Sequence, residues 1–99
     1  MTKGGSVYIM SSLNNIVLYT GVTSDLVSRV MQHKSRSFPN SFTAKYNCIK
    51  LVYFQFFPTI DAAISEEKRI KAGSRVQKEK LIFELNPDWS DLWEEIKSW

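Results

Sequence analysis

The sequence predicts an α+β fold in which a three-stranded antiparallel sheet is flanked by helices. Three runs rich in β-branched and aromatic residues, at positions 6–10, 17–22 and 49–56, have the composition and alternation of strands. Two further segments, at 24–33 and 59–72, repeat apolar side chains at helical spacing. Helices with one apolar side bury that side against another layer of secondary structure, and we expect the sheet to be that layer.

Length and composition indicate one small globular domain. The chain has 99 residues, of which 43% are hydrophobic and 13% aromatic, enough for a packed core. No stretch approaches the ~18 apolar residues of a membrane-spanning helix, and Met1–Gly5 is too short and polar for a signal peptide. We therefore expect a single domain over 1–99, in the cytoplasm and away from membranes. Cys48, the sole cysteine, is interpreted as a small core residue.

Charge is distributed unevenly along the chain, although the formal net charge is only +3. Residues 1–50 carry six Lys or Arg and one acid, whereas residues 84–99 carry five acids and one Lys. This asymmetry suits a protein that turns one side toward a polyanion. A solvated charge pattern with no partner is the alternative.

The first two strands are predicted to form an antiparallel hairpin around the polar segment 11–15. A period of two places Tyr8 on the face opposite Val7 and Ile9. The register of the hairpin decides whether Tyr8 meets Tyr19. Gly21 lacks a Cβ, so a neighbouring group or ligand can approach closely beside Tyr19.

The first helix should begin near Ser24, because residues 23–25 offer capping side chains. Its apolar side comprises Leu26, Val27, Val30 and Met31. Another side carries the basic residues Arg29, His33 and Arg36. Since residues four apart stack on a helix, this basic side would present a guanidinium and an imidazole to the same anion.

The segment 34–47 reads as a polar loop that mixes basic and aromatic residues. Arg36 and Lys45 could neutralise phosphates, while Phe38, Phe42 or Tyr46 could stack on bases. The aromatic side chains could equally anchor the loop to the core. Both interpretations are open at this point.

The remainder of the chain reads as one strand followed by three helices. Residues 49–57 form such a strongly apolar run that we interpret them as the central strand. Thr59 should cap the second helix, Gly73 should end it, and Ser74 should cap a third helix over 75–84. After a break at 86–88, a last helix over 89–96 would cover the domain with its apolar side.

Glu67 is unusual because it falls on the apolar side of the second helix. Burying a carboxylate costs several kcal/mol unless it is paired or coordinated. Lys71, one turn later, could pair with it, or a divalent cation could bind it. The spacing alone does not choose between these partners.

Several of these residues, in this order, resemble the signature of the GIY-YIG nuclease superfamily, and in particular its small single-domain bacterial members. The resemblance covers about residues 6–93 and has Ser6 and Thr20 where the family has a glycine and an isoleucine. The matching features, in chain order, are Ser6-Val7-Tyr8, Tyr19-Thr20-Gly21, Arg29, His33, Glu67 and Asn86-Pro87.

The resemblance implies a metal-dependent endonuclease that hydrolyses phosphodiester bonds in DNA or structured nucleic acid. In the implied mechanism Tyr8 is the general base or positions the water, and Arg29 stabilises the phosphate charge. Tyr19 and His33 would orient the phosphate and the water or share the proton transfer, and Glu67 would hold one Mg²⁺ or Mn²⁺.

Residues expected to contact the nucleic acid outside the reacting centre are Arg36, Lys45, Tyr46, Lys71 and Asn86. Family members usually carry further nucleic-acid-binding domains, so a protein partner or self-association would have to supply substrate choice here. The alternative function is a non-catalytic nucleic-acid-binding module that retains the fold.

The sequence lacks the residues that a zinc cluster, a glycine-rich phosphate-binding loop or a hydrolase triad would need. A zinc cluster would need more cysteines, and no glycine-rich loop has the spacing that cradles phosphates. The single histidine has no plausible serine or cysteine partner for a hydrolase triad.

Overall fold

The computed structural model describes residues 4–99, and its elements alternate between strands and helices. In chain order they are β1 (Gly5–Ser12), β2 (Leu18–Thr23), α1 (Leu26–Ser35), α2 (Phe42–Lys45), β3 (Cys48–Phe57), α3 (Ile60–Ala72), α4 (Arg75–Leu85) and α5 (Trp93–Ile96).

The strands form one antiparallel sheet in the order β2-β1-β3, which confirms the predicted α+β class. The interpretation of residues 49–57 as the central strand was wrong. β1 lies in the middle and is buried along its whole length, whereas β3 is an edge strand. Its apolar run packs partly against the end of the chain, since the rings of Phe54 and Phe56 lie 5.7 and 5.5 Å from that of Trp99.

Alternation along β1 divides the core between the two faces of the sheet. Val7 and Ile9 pack with buried residues of α3 and α4 on one face. Tyr8 and Met10 pack with buried residues of α1 and α5 on the other. Tyr8 therefore lies opposite Val7 and Ile9, as the period of two predicts. Cys48 is buried in the cluster around Tyr8, as expected.

Side-chain caps fix where the helices begin. Thr59 caps α3 and Ser74 caps α4, as predicted, while α1 is capped by Asp25 and starts two residues later than Ser24. Met31 was expected on the apolar side of α1 but is 50% exposed, because the helix contacts the core over a narrower stripe.

The last helix is shorter than predicted and begins at Trp93. Trp89 has a left-handed backbone with φ of 54°, which is incompatible with the interior of a right-handed helix. Residues 86–92 instead form an irregular connection. Within residues 4–99, no helix combines the length and the apolar character that crossing a bilayer requires.

Candidate active site

Tyr8 stands at the middle of the sheet and projects over Gly21 of the neighbouring strand. The two residues are register partners between β1 and β2, and Tyr8 is only 1% exposed. A Cβ atom at position 21 would lie 2.5 Å from both Cζ and Oη of Tyr8. The tyrosine ring therefore occupies the space that any other residue at position 21 would need.

The Tyr8 hydroxyl is hydrogen-bonded to the histidine that the sequence placed on the basic side of α1. Tyr8 Oη lies 2.7 Å from His33 Nε2, and the other ring nitrogen, Nδ1, lies 2.9 Å from Thr43 Oγ1. The three side chains come from β1, α1 and α2. Together they form a hydrogen-bonded chain that links the central strand to α1 and α2.

Thr43 is a site residue that sequence reasoning missed. It lies in the four-residue helix α2, within a segment predicted as loop, and it is buried. Ser41 caps that helix by accepting a hydrogen bond from the backbone of Ala44. A Ser at the cap position is the only local signal of the helix, since one turn is too short for an apolar period.

Tyr19 completes a group of three rings around His33. Its register partner is Met10, so it lies diagonally across from Tyr8, and the two tyrosine rings are 6.3 Å apart. The ring of Tyr19 lies 5.6 Å from that of His33. The register thus brings both tyrosines and the histidine together. This answers the question, left open by the sequence, of whether Tyr8 meets Tyr19.

Arg29 lies one turn before His33 on α1 and is exposed. None of the ion pairs within residues 4–99 includes its guanidinium. Its positive charge nonetheless acts on the site, where it helps to lower the pKa of His33 and partly opposes the rise in the pKa of Tyr8. An arginine placed in this way can receive an anion.

The site keeps both Tyr8 and His33 neutral near pH 7. Burial is the main cause that raises the pKa of the Tyr8 phenol well above its usual value; Tyr19 and Glu67 add to it, and Arg29 opposes it. Burial and then Arg29 lower the pKa of His33 to about 4. The hydrogen bond between them therefore joins a phenol to an uncharged imidazole.

The Glu67 side chain is largely buried, as its position on α3 predicted, and it forms an ion pair with Lys71. The Glu67 side chain is 13% exposed, and its Oε2 lies 2.9 Å from Lys71 Nζ. Lys71 Nζ also lies 6.0 Å from the centre of the Tyr19 ring. The carboxylate and its ammonium partner therefore border the tyrosine side of the site.

A divalent cation fits this site only if most of its ligands come from elsewhere. Residues 4–99 contain no group of three or more His, Cys, Asp or Glu that could hold a metal ion. Glu67 offers a single hard carboxylate. Mg²⁺ commonly binds through one or two carboxylates and fills its remaining positions with water and substrate phosphate, so this donor suits it.

The basic and aromatic residues of the segment 36–46 lie exposed beside the site. The ring of Phe42 lies 6.0 Å from that of Tyr19 and 4.7 Å from that of Tyr46. Lys45 Nζ lies 5.6 Å from the centre of the Tyr46 ring. Arg36 ends α1 in the left-handed conformation, with φ of 54°. The aromatic and basic residues of this segment thus form one continuous exposed surface beside the site.

Asn86 does not share that surface. It is 5% exposed, and its Nδ2 donates to the backbone oxygens of Val52 and Ser90 at 3.2 and 2.8 Å. Its Oδ1 accepts from the backbone and the hydroxyl of Ser90. Because these bonds engage both ends of the amide, its expected role in nucleic-acid contact is replaced by a structural role in the connection after α4.

The comparisons with known proteins agree with this architecture. The family model of the GIY-YIG catalytic domain matches residues 4–92. A UPF0213 protein of Staphylococcus epidermidis is 38% identical, over 79% of this chain and 93% of its own length. One from Syntrophus aciditrophicus is 30% identical, over 83% and 92% respectively. The solution NMR structure of a UPF0213 protein from Bacillus halodurans superposes with a TM-score of 0.56 at 27% identity, covering 89% of this chain and 92% of that one.

Proposed function

Because the chain belongs to the GIY-YIG catalytic domain family, we propose that it is a divalent-metal-dependent endonuclease acting on DNA or structured nucleic acid. The observation that carries the proposal is the Tyr8–His33–Thr43 hydrogen-bonded chain beside the unpaired guanidinium of Arg29. Hydrolysis of a phosphodiester needs a group that accepts the water's proton and a positive charge that stabilises the pentavalent phosphate. These four residues supply both.

The proton of the attacking water passes to Tyr8 in this mechanism, while the proton of Tyr8 passes to His33. A phenol with a raised pKa is a poor base on its own, because almost none of it is ionised near pH 7. In the tautomer that carries its hydrogen on Nδ1, His33 donates to Thr43 Oγ1, and its Nε2 can accept the hydrogen bond from Tyr8. Tyr8 can then take one proton at Oη as it gives up another.

Substrate binding makes this transfer easier. Arg29 is one of the two causes that lower the pKa of His33, so an anionic phosphate beside Arg29 would offset its effect and raise the pKa of the imidazole. His33 would become a better proton acceptor only when a phosphate is in place. Tyr19, whose ring lies 5.6 Å from that of His33, borders the same space and would orient the phosphate.

Glu67 would hold one Mg²⁺ or Mn²⁺, which supplies positive charge at the leaving oxygen. The carboxylate is the donor that such a hard cation prefers. Glu67 is already paired with Lys71 at 2.9 Å, so the lysine must give up this contact or share it. Because Lys71 Nζ lies 6.0 Å from the centre of the Tyr19 ring, a lysine released from Glu67 would be available to contact a phosphate beside Tyr19.

Nucleic acid would extend from the site over the exposed residues Arg36, Lys45 and Tyr46. Arg36 and Lys45 take part in none of the ion pairs among the described residues, so both cations can neutralise phosphates. The proposal places the protein in the cytoplasm, with a protein partner or a second copy supplying substrate choice.

A non-catalytic nucleic-acid-binding module is the second candidate, and the Glu67–Lys71 pair favours it. A carboxylate that already has a cationic partner does not require a metal. The hydrogen-bonded Tyr8–His33 pair would then be a structural feature of the core.

A cleavage assay on supercoiled and structured DNA, with Mg²⁺, Mn²⁺ or EDTA, tests the choice. We expect metal-dependent cleavage that Tyr8→Phe abolishes. Tyr53→Phe is the matched control, since Tyr53 is also a buried strand tyrosine but packs in the cluster on the other face of the sheet. Full activity of Tyr8→Phe, or binding without any cleavage by the native protein, would favour the binding module.

A further inference from the structure

A cavity of about 260 Å³ opens beside His33, between α1 and the segment that leads into α2. Its lining combines planar cations with aromatic rings. The residues that matter here are Tyr19, Arg29, Gln32, Arg36, Phe38 and Phe42.

The two phenylalanines are unusual for their exposure. Phe38 is 58% exposed and Phe42 is 46% exposed. Phe42 contacts other rings, but none of the aromatic pairs among residues 4–99 includes Phe38. Phe38 is also not among the described hydrophobic residues that pack against either core cluster, so it does not anchor the segment to the core, which was one of the two interpretations open from the sequence.

Charge at the cavity indicates what occupies it. Arg29 and Arg36 both line it, and neither belongs to an ion pair within the described part of the chain. Aromatic rings beside unpaired cations are the combination that single-stranded nucleic acid binds, with bases stacked on the rings and phosphates on the cations.

We propose that this cavity receives the base of one unpaired nucleotide whose phosphate lies at Arg29. The inference rests on the proposed function and specifies its substrate class as nucleic acid with an unpaired nucleotide at the cleavage point. The volume is slightly below the roughly 300 Å³ at which ligand pockets begin, so it suits a single base and not a base pair. A base held in a duplex would first have to leave the stack, whereas an unpaired base enters at little cost.

The cavity also offers hydrogen-bonding groups for the edge of a base. Gln32 presents an amide with both donors and an acceptor, and Arg36 presents several donors. The base would stack on Phe38 and Phe42 and turn its edge toward the α1 side. Recognition through rings tolerates different bases, so we expect a preference for unpaired nucleotides more than for a sequence.

The test compares two duplexes of equal length, one fully paired and one with a single-nucleotide bulge, by fluorescence anisotropy in EDTA. We expect the native protein to bind the bulged duplex about 5- to 150-fold more tightly, the range that stacking of one base corresponds to. Phe38→Ala should remove most of this preference, because it weakens binding of the bulged duplex far more than binding of the paired one. Phe83→Ala is the control, since Phe83 is 63% exposed but lies on α4, outside the cavity.

Phe42→Leu provides a second variant, because Phe42 packs against Tyr19 and Tyr46 and its removal could disturb them. Leucine keeps apolar contact but lacks a flat ring, so the preference should fall again. Equal affinity of the native protein for both duplexes, or a preference that survives both substitutions, would overturn the base cavity while nucleic-acid binding stands. Failure to bind either duplex would overturn the proposed function itself.

Discussion

Nζ of Lys71 lies 2.9 Å from Oε2 of Glu67, so the carboxylate expected to bind a metal already has a cationic partner one helical turn away. The Lys71 side chain is 51% exposed, whereas the Glu67 side chain is largely buried. A divalent cation therefore has to compete with Lys71 for Glu67. The sequence left Lys71 and a metal ion open as partners of Glu67. The two need not exclude each other, because a metal ion could replace Lys71 as the partner of the same carboxylate.

Lys71→Met should strengthen metal binding. The substitution keeps a long side chain but removes the competing charge, and an ion pair of this exposure is worth about 0.2–1 kcal/mol, or up to roughly fivefold in affinity. Calorimetric titration of Mn²⁺ in the presence of uncleavable nucleic acid measures the change. Lys68→Met removes the same charge from the same helix without touching Glu67, and it should have no effect. Weaker Mn²⁺ binding by Lys71→Met would contradict the competition.

Glu67→Gln should abolish Mn²⁺ binding and cleavage together. Glutamine keeps the shape of the side chain but lacks the charge that a hard cation requires. Affinity for DNA in EDTA should stay the same or rise, because one negative charge has left the site. Glu66→Gln is the matched control, since Glu66 pairs with Arg69 on the neighbouring side of α3. Native metal binding by Glu67→Gln would show that the carboxylate is not the ligand.

Arg29→Ala should reduce cleavage about 10²- to 10³-fold while the protein stays folded, since it removes one preorganised charge from the transition state. The same variant should raise the pKa of His33, because the guanidinium is one of the two causes that lower it to about 4. An NMR titration of the imidazole measures this second effect. An unchanged pKa together with unchanged activity would return Arg29 to the status of a surface residue.

His33 should make the protein less stable in mild acid. Its pKa is about 4 in the folded state and about 6.5 in the unfolded chain, so between these values the unfolded state binds a proton that the folded state does not. Stability should be unaffected by this group above about pH 7 and should fall as the pH drops from about 6.5 toward 4. Because His33 is the only histidine, His33→Gln should flatten the slope of melting temperature against pH between about 5 and 6.5. Identical slopes in both proteins would contradict a buried, uncharged imidazole.

Much of the site followed from local rules. A period of two placed Tyr8 away from Val7 and Ile9, and the stacking of residues four apart placed Arg29 and His33 together on α1. These positions depend only on neighbours in the chain. For the same reason the caps at Thr59 and Ser74 were predicted correctly.

What the sequence could not predict depended on distant pairing or on very short elements. Both β1 and β3 are rich in strand-forming residues, so which of them lies in the centre is decided by long-range pairing. Thr43 lies in a single helical turn, which has no period to detect. Asn86 was expected to contact nucleic acid because it matches the family's Asn-Pro pair, but its amide is used by Val52 and Ser90, and only the packed structure shows this.

Gly21→Ala should disable the site by displacing Tyr8. The new Cβ would lie 2.5 Å from Cζ and Oη of Tyr8, a distance that forces the buried ring to move and breaks its 2.7 Å hydrogen bond to His33. Overpacking of this kind costs about 1–3 kcal/mol, and cleavage should be lost with it. Gly73→Ala is the control: its Cβ would come 2.6 Å from Oε1 of Gln77, the end of a side chain that can turn away at the cost of its 2.9 Å hydrogen bond from the Ser74 backbone, and the clash does not involve Tyr8.

A double-mutant cycle separates this clash from a general weakening of the strand. If the damage comes from the Tyr8 ring, Gly21→Ala should cost much less stability in a Tyr8→Ala background, where the ring is gone. Chemical denaturation of the four proteins measures the coupling, which should approach the whole cost of the single glycine substitution. Additive losses would mean that alanine disturbs β2 by itself and that position 21 does not determine where the Tyr8 phenol lies.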